Sequence, residues 1–403
     1  MRIACANWSR RHVGGIESYL EFVVPALQAL GHDVSFWSEQ DAPAGRAPLR
    51  LPAGVRTWCA AEDGLDRSLD ALAGWAPSVL FVHGLGEPRI ERRLLDVGPA
   101  VLLAHSYHGT CISGSKTVRF PATRPCSRVL GPACLAHFYP RRCGGLNPLT
   151  MVRDYQRQTE RVALLRQYEA VLTLSVHMRD EYVRHGVQEP RARHLPRYLP
   201  GRAFGDATPP AHERQQVTLL FLGRIERLKG LYTLVEALPD VQRSIGEPVH
   251  LIVAGDGPDR ERCERLAGVV STSGSIDTTF RGWIGATDRA ALLSSSDVLV
   301  FPSLLPEPYG LSGLEALAAG LPVAAFGSGG IVEWLRDGID GALAPADPPS
   351  PSGLAAAIVR CVRLGRLEPW PEEMIAEQQR QHVRAVASHL AGAATARSGL
   401  VVA

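Results

Sequence analysis

The 403-residue sequence has almost no excess charge of either sign: 43 Lys and Arg stand against 41 Asp and Glu. That balance gives no whole-molecule attraction to nucleic acid or to an anionic membrane, so neither is indicated as a general partner. There is no apolar run of about 18 residues, so no transmembrane helix is expected. The opening stretch Met1-Arg2-Ile3-Ala4-Cys5-Ala6-Asn7 is too short, and turns polar too soon, for a secretory signal. It reads instead as a first buried strand. A cytoplasmic protein is expected, with room for a peripheral contact at the inner face of the membrane. The Gly-x-Gly-x-x-Gly fingerprint is missing, which excludes a dinucleotide oxidoreductase. Low-complexity segments and short-period repeats are also missing.

What is present is alternation. Apolar runs of strand length (Arg2–Ala6, Val34–Trp37, Val79–His83, Val101–His105, Ala170–Leu174) are separated by segments with helical spacing. The same alternation resumes at Val217 and continues through His250–Ala254, Thr279–Trp283, Val298–Phe301 and Val323–Phe326. This predicts two parallel, doubly wound sheets in roughly equal halves. Pro196, Pro200, Pro209 and Pro210 mark a linker between them. The expected units are 1–200, 201–371, and a polar helical tail over 372–403 that crosses back onto the first half.

Chemistry concentrates at strand ends in the second half. Glu307-Pro308-Tyr309-Gly310-Leu311-Ser312-Gly313-Leu314-Glu315 places two carboxylates eight positions apart after a buried strand, where open α/β sheets bind ligands. Ser312-x-x-Glu315 fits a capping box, and Glu315 equally suits a vicinal diol such as a ribose; both readings stand. Glu307 lies between Pro306 and Pro308, a stiff setting that a merely solvated carboxylate does not need. The amides of Gly310 and Leu311 precede the helix and are free to face an anion. In Gly223-Arg224-Ile225-Glu226-Arg227-Leu228-Lys229-Gly230, Arg224 and Lys229 can converge on one anion. Gly255-Asp256-Gly257-Pro258 offers a tight turn. In the first half, Gly14-Gly15 opens a helix, as a phosphate-binding turn would, and His105 ends a buried strand. His83 and His108 read more readily as structural histidines.

Together these pieces resemble the retaining, two-domain nucleotide-sugar glycosyltransferases of the glycogen-synthase-like family 4, with the GT-B fold. The resemblance is carried by Gly14-Gly15, His105, Gly223-Arg224 with Lys229-Gly230, Gly255-Asp256-Gly257-Pro258, Phe280-Arg281-Gly282, Phe301-Pro302-Ser303 and the Glu307/Glu315 pair, in the family's order. It implies two Rossmann-like domains facing each other across a cleft. It implies a donor that is a UDP- or GDP-linked sugar, and a hydroxyl acceptor on a polysaccharide, glycolipid or small molecule. Arg224 and Lys229 would bind the diphosphate, Glu315 the ribose, Glu307 the sugar, and Gly14-Gly15 the phosphates from the other domain. His105 would touch the sugar, and Trp283-Ile284 would frame the base. Configuration would be retained by front-face attack. The chain has no Asp-x-Asp, which fits a mechanism without a metal cofactor. An epimerase of the same fold and a non-catalytic nucleotide-sugar binder are the alternatives.

The segment 107–147 departs from the pattern. Cys111, Cys126, Cys134 and Cys143 lack Cys-x-x-Cys spacing. Independent thiols, a structural zinc site joined by His108 or His137, and disulfides all remain open. The span 116–166 carries Lys116, Arg119, Arg124, Arg128, Arg141, Arg142, Arg153, Arg157, Arg161 and Arg166, with only Asp154 and Glu160 as local acids. It is expected to be a solvated face, an anionic acceptor site or a lipid-phosphate surface.

Overall fold

The computed structural model describes residues 1–199 and 216–398. Pro200, Pro209, Pro210 and the 200/201 boundary lie outside the described residues. The strands in chain order are β1 (Arg2–Ser9), β2 (Asp33–Gln40), β3 (Arg56–Cys59), β4 (Val79–Gly84), β5 (Ala100–Ala104), β6 (Thr117–Val118), β7 (Arg124–Pro125), β8 (Ala170–Thr173), β9 (Ala192–His194), β10 (Val217–Leu222), β11 (Val249–Ala254), β12 (Ile276–Gly282), β13 (Val298–Phe301), β14 (Val323–Phe326) and β15 (Gly341–Ala344). One sheet runs β3-β2-β1-β4-β5-β8-β9 and the other β12-β11-β10-β13-β14-β15. Every ladder in both is parallel. The protein is therefore α/β, with two Rossmann-like sheets of the GT-B type.

The central strands are apolar on both faces because helices cover both sides. Ile3, Cys5, Phe81, Val101 and Leu172 are fully buried in the first sheet, and Leu219, Leu251, Val298 and Val323 in the second. In each sheet the strand order reverses beside the first strand, between β1 and β4 and between β10 and β13. The loops leaving those strands open a crevice at their carboxyl ends.

The last helix, Glu372–Ser398, packs against β4, β5 and the helix Gly15–Ala29. Val386 and Leu390 are fully buried there. His382 is buried too, with its Nε2 2.7 Å from the Tyr19 hydroxyl and its Nδ1 2.7 Å from the Pro196 carbonyl. No helix among the described residues is long and apolar enough to cross a membrane.

Candidate active site

The loops that carry the candidate residues of the second half meet at the reversal point of the second sheet. After β10 the chain passes Gly223 and Arg224 into a short turn, Arg227–Lys229, and then the helix Leu231–Ile245. After β13 it passes Pro302 and Ser303 to Glu307 and the helix Leu311–Ala318. Gly230 lets these two loops touch. Its φ is +76°, and an added Cβ would lie 1.8 Å from the Pro302 carbonyl oxygen. Any side chain would drive the loops apart.

Across that contact Lys229 Nζ donates to Glu307 Oε1 at 2.7 Å, and Ser303 Oγ donates to the same oxygen at 2.6 Å. Glu307 is buried, while Lys229 is part exposed. Arg224 does not join them: it is exposed and ion-paired with Glu226. Both side chains leave the same loop after β10, Lys229 toward Glu307 and Arg224 toward Glu226.

The first domain holds the Glu307 loop from the other side. The Tyr107 hydroxyl donates to the Pro306 carbonyl at 2.6 Å and lies 2.7 Å from His177 Nε2. Ser175 Oγ donates to the Pro308 carbonyl at 2.6 Å, and the Tyr309 hydroxyl to the Tyr198 carbonyl at 2.6 Å. The stiffness suggested by the flanking prolines is supplied largely by these cross-domain bonds.

The first residues of two helices come into contact nearby. A Cβ on Gly15, first residue of the helix Gly15–Ala29, would lie 3.1 Å from Leu311 Cδ1, first residue of the helix Leu311–Ala318. Free backbone N–H groups and both positive helix ends are thereby brought to one side of the cleft. The Gly15 helix is partly satisfied by its own Glu17, which accepts from the Gly14 amide at 2.7 Å and the Val13 amide at 3.3 Å. Asn7 Nδ2 donates to Glu17 at 3.3 Å and fixes that carboxylate from β1.

Glu315 corrects the capping-box reading. The cap is Gly310, with φ +93°, and the helix begins at Leu311, so Ser312 lies inside it and Glu315 in its second turn. Glu315 instead accepts from Arg289 Nη1 at 3.0 and 3.2 Å, one contact per carboxylate oxygen. Burial pushes its pKa above the ordinary carboxylate range, and Arg289 opposes that shift.

His105 follows β5 and belongs to a buried cluster. Its Nε2 lies 3.1 Å from His83 Nδ1, the two rings stack at 5.3 Å, and Tyr19 meets the His105 ring edge-on at 5.5 Å. Burial, with smaller contributions from His108 and His382, pulls the His105 pKa down to about 3. At neutral pH it is an uncharged hydrogen-bonding group. Trp283 is exposed, and the Arg46 guanidinium from the first domain stacks over its ring at 3.9 Å; Ile284 follows it, half-buried.

Arg289, Arg46, Ser303 as a Glu307 partner, Tyr107, and Glu333, whose carboxylate accepts from the Val176 and His177 amides at 2.8 and 2.7 Å, carry no sequence motif that marks them in these roles. Only Ser303 had a local signal, four residues before Glu307 in the Phe301-Pro302-Ser303 motif.

Two expectations for the segment 107–166 change. All eight cysteines are free thiols, so the disulfides are not formed. Among the described residues no three His, Cys, Asp or Glu groups come close enough to hold one metal ion, so the closed zinc geometry over Cys111, Cys126, Cys134 and Cys143 is not formed either. The span is also less one-signed than its sequence. Lys116 is buried in an ion pair with Glu181, Arg161 is buried beside Glu91 at 3.7 Å, and Arg157 meets Glu87 at 2.7 Å. Their acids come from distant parts of the chain. Arg128, Arg142, Arg153 and Arg166 remain exposed, as do the apolar side chains of Phe120, Val129, Leu146, Leu149 and Val152, and Arg142 lies over the Phe120 ring at 5.1 Å.

Residues 216–363 match the family described as Glycosyl transferases group 1. A glycogen synthase of Mycobacterium tuberculosis is 28% identical over 89% of this chain and 85% of its own length. A phosphatidyl-myo-inositol mannosyltransferase of Mycobacterium leprae is 35% identical over 36% of this chain and 37% of its own. Among solved structures, Anabaena Alr3699/HepE in complex with UDP and glucose superposes with a TM-score of 0.60 at 15% identity, over 100% of this chain and 99% of that one.

Proposed function

Taking the chain as a group 1 glycosyltransferase with the GT-B fold, we propose that it transfers a hexose-type sugar from a nucleotide-diphosphate sugar to an acceptor hydroxyl, with retention of configuration. The observation that carries this reading is the Lys229–Glu307 pair set beside the helix starts that meet at Gly15 and Leu311. A diphosphate needs fixed positive charge on its leaving oxygens, and Lys229, the two helix N-termini and Arg224 are the groups that would supply it. Arg224 would swing from Glu226 onto the phosphate. Glu307, relieved of Lys229, would accept from a sugar hydroxyl while Ser303 holds its other partner position.

Glu315 would accept the ribose hydroxyls, with Arg289 keeping its carboxylate charged. The segment Trp283-Ile284 would frame the base, and the likeness to the Anabaena protein in complex with UDP and glucose favours a uridine donor. Neutral His105 would hydrogen-bond the transferred sugar. No carboxylate is assigned as a covalent nucleophile. The departing phosphate oxygen would take the acceptor proton on the same face as attack, which retains configuration. The acceptor would approach over the first domain, beside the exposed arginines and apolar side chains of 116–166, so an acceptor with an anionic or lipid-linked group is favoured.

The test is a panel of UDP- and GDP-sugars incubated with the protein, with and without a chelator. We expect one donor to raise the melting temperature and to be hydrolysed slowly to the retained anomer, read by proton NMR before mutarotation, with no effect of chelation. Release of the inverted anomer would overturn the retaining mechanism. A panel in which no nucleotide sugar binds would overturn the donor assignment. Co-sedimentation with anionic vesicles tests the lipid version of the acceptor; binding no greater than to neutral vesicles ends it.

A further inference from the structure

Residues 107–147 carry six Lys and Arg side chains, Lys116, Arg119, Arg124, Arg128, Arg141 and Arg142, and no Asp or Glu. Three of the six are committed within the fold. Lys116 pairs with Glu181 and donates to the Arg128 carbonyl at 2.5 Å. Arg119 donates to the Arg142 and Gly144 carbonyls at 2.5 and 2.6 Å, and Arg142 lies over the Phe120 ring. The guanidiniums of Arg124, Arg128 and Arg141 have no hydrogen bond or ion pair with any described residue. All three line one half-open cavity of about 270 Å³.

Their backbones are fixed while their heads stay free. Arg124 lies in β7, paired with Val118 of β6. The Arg128 carbonyl is held by Lys116 Nζ. The Arg141 carbonyl accepts from the Arg119 and Phe120 amides at 2.9 and 3.2 Å. Three like charges around one small cavity repel one another, and solubility alone needs no such convergence. Among the described residues no Asp or Glu lines the cavity. Its thiols supply no counter-charge in place of a carboxylate. Cys134 and Cys143 donate to the Val129 and His137 carbonyls at 3.7 and 3.9 Å, which a thiol does only when protonated. Burial also pushes the Cys143 pKa up to about 11.

We propose that this cavity is the subsite for a phosphate monoester on the acceptor, its phosphate held by Arg124, Arg128 and Arg141. The inference rests on the reading of the chain as a sugar transferase given above. A phosphate monoester carries about −1.5 to −2 charges at pH 7, which suits several cations better than one. Guanidinium forks match its oxygens two at a time. Small-molecule pockets start at about 300 Å³, so a cavity of about 270 Å³ takes one charged unit rather than a length of polymer. Ile112, Val118 and Phe138 in the lining give the carbon skeleton beside the phosphate an apolar flank.

The cavity adjoins the candidate active site by two routes. Thr110, in its wall, donates through Oγ1 to the Tyr107 carbonyl at 3.1 Å, and the Tyr107 hydroxyl holds the Pro306 carbonyl next to Glu307. Phe138 lines both the cavity and a surface hollow shared by Arg119, Arg142 and Arg227, and Arg227 is two residues before Lys229. An acceptor anchored by its phosphate is therefore placed on the first-domain side of the loops that carry Lys229 and Glu307.

The test is calorimetry on the full chain with inorganic phosphate, a hexose 6-phosphate and the same hexose without phosphate, at constant ionic strength. We expect saturable binding of both phosphates and none of the free hexose. Arg124→Gln and Arg141→Gln should each weaken phosphate binding about 10-fold or more. Arg89→Gln, an exposed arginine outside the cavity, should leave it unchanged. Phosphate binding that is absent, or equal in all three variants, would overturn the subsite; a thermal shift with nucleotide reports that each variant is folded. A phosphate ester on a soluble sugar and one on a lipid share this chemistry, so phosphatidic acid in phosphatidylcholine vesicles is run beside the hexose 6-phosphate. Binding of either through the arginines supports the subsite, and the tighter of the two names the source. With the active donor, removing the phosphate from an accepted compound should raise its KM far more than it lowers kcat, and the arginine variants should lose that factor only on the phosphorylated form. If phosphate altered transfer to a neutral acceptor and its bearer was never glycosylated, phosphate would be an effector and the acceptor assignment would be overturned. The binding arms need no sugar transfer, so loss of the subsite and loss of the proposed activity are read separately.

Discussion

Lys229 Nζ lies 2.7 Å from Glu307 Oε1, and the two residues belong to the loops on either side of the strand-order reversal in the second sheet. Each charge is held ready by the other. A diphosphate would take Lys229 from Glu307 as negative charge builds on the leaving oxygen, so the lysine should act mainly in the transition state. Lys229→Ala is expected to lower kcat by about 10²-fold or more with a smaller change in KM. Steady-state rates with the active donor check this. A variant that changes KM alone would show that the lysine only binds.

Glu315 anchors Arg289 and is proposed to hold the donor, and the two roles can be separated. Hydrogen bonds to a charged group contribute about 1.5–3 kcal/mol, so Glu315→Ala should weaken nucleotide-sugar binding by about 10- to 100-fold. A donor lacking both ribose hydroxyls should lose a similar factor on the unaltered protein and little more on the variant. Calorimetry on the four combinations forms a double-mutant cycle. Additive losses would mean that Glu315 acts through Arg289 alone.

The two sheets were legible because central parallel strands are apolar on both faces, and Val217–Leu222 or Val298–Phe301 cannot easily be read as anything else. The edge strands were not. Arg56-Thr57-Trp58-Cys59 and Ala192-Arg193-His194 are short and half-exposed, and they carry no such signal. Gly341–Ala344 is apolar but made of glycine, alanine and leucine, without the β-branched residues that mark Val298–Phe301. The motifs of the candidate site were legible as loops at strand ends because each is contiguous in sequence. Their partners were not, since a lone Arg289 or Glu333 has no local pattern and becomes informative only when folding brings it to Glu315 or to the helix Val176–Arg184. The basic span looks more one-signed in sequence than it is for the same reason, as Glu181, Glu91 and Glu87 lie outside residues 116–166.

Acid should loosen the last helix through His382. Its neutral ring uses both nitrogens, with Nδ1–H donating to the Pro196 carbonyl and Nε2 accepting from the Tyr19 hydroxyl. Burial lowers its pKa from 6.5 to about 4. A depressed histidine pKa means the unfolded chain binds the proton more readily. Its contribution is therefore complete above about pH 6.5 and is lost as pH falls toward 4. The loss from this group is about 2 kcal/mol by pH 5. His382→Gln should be less stable at pH 7 but show a flatter fall in Tm between pH 7 and 5. An unchanged slope would place the acid sensitivity elsewhere, with His83 and His105 as the next candidates.

Glu333 joins the domains where it matters for Glu307. It lies after β14 in the second domain, yet its carboxylate accepts from the Val176 amide at 2.8 Å and the His177 amide at 2.7 Å, at the start of the helix Val176–Arg184 in the first. Ser175, the cap of that helix, donates to the Pro308 carbonyl, so one contact patch sets both the domain closure and the loop that carries Glu307. A carboxylate at a helix N-terminus contributes about 0.5–2 kcal/mol. Removing it should shift the balance toward an open cleft without unfolding either sheet. Glu333→Ala is expected to raise the donor KM several-fold and to increase the radius of gyration in scattering, with Tm nearly unchanged. Glu333→Gln, which keeps one acceptor oxygen, should fall between. If Glu333→Ala lowered Tm sharply and left KM as it was, the residue would be serving the fold of its own domain, and the cross-domain bond would not govern closure.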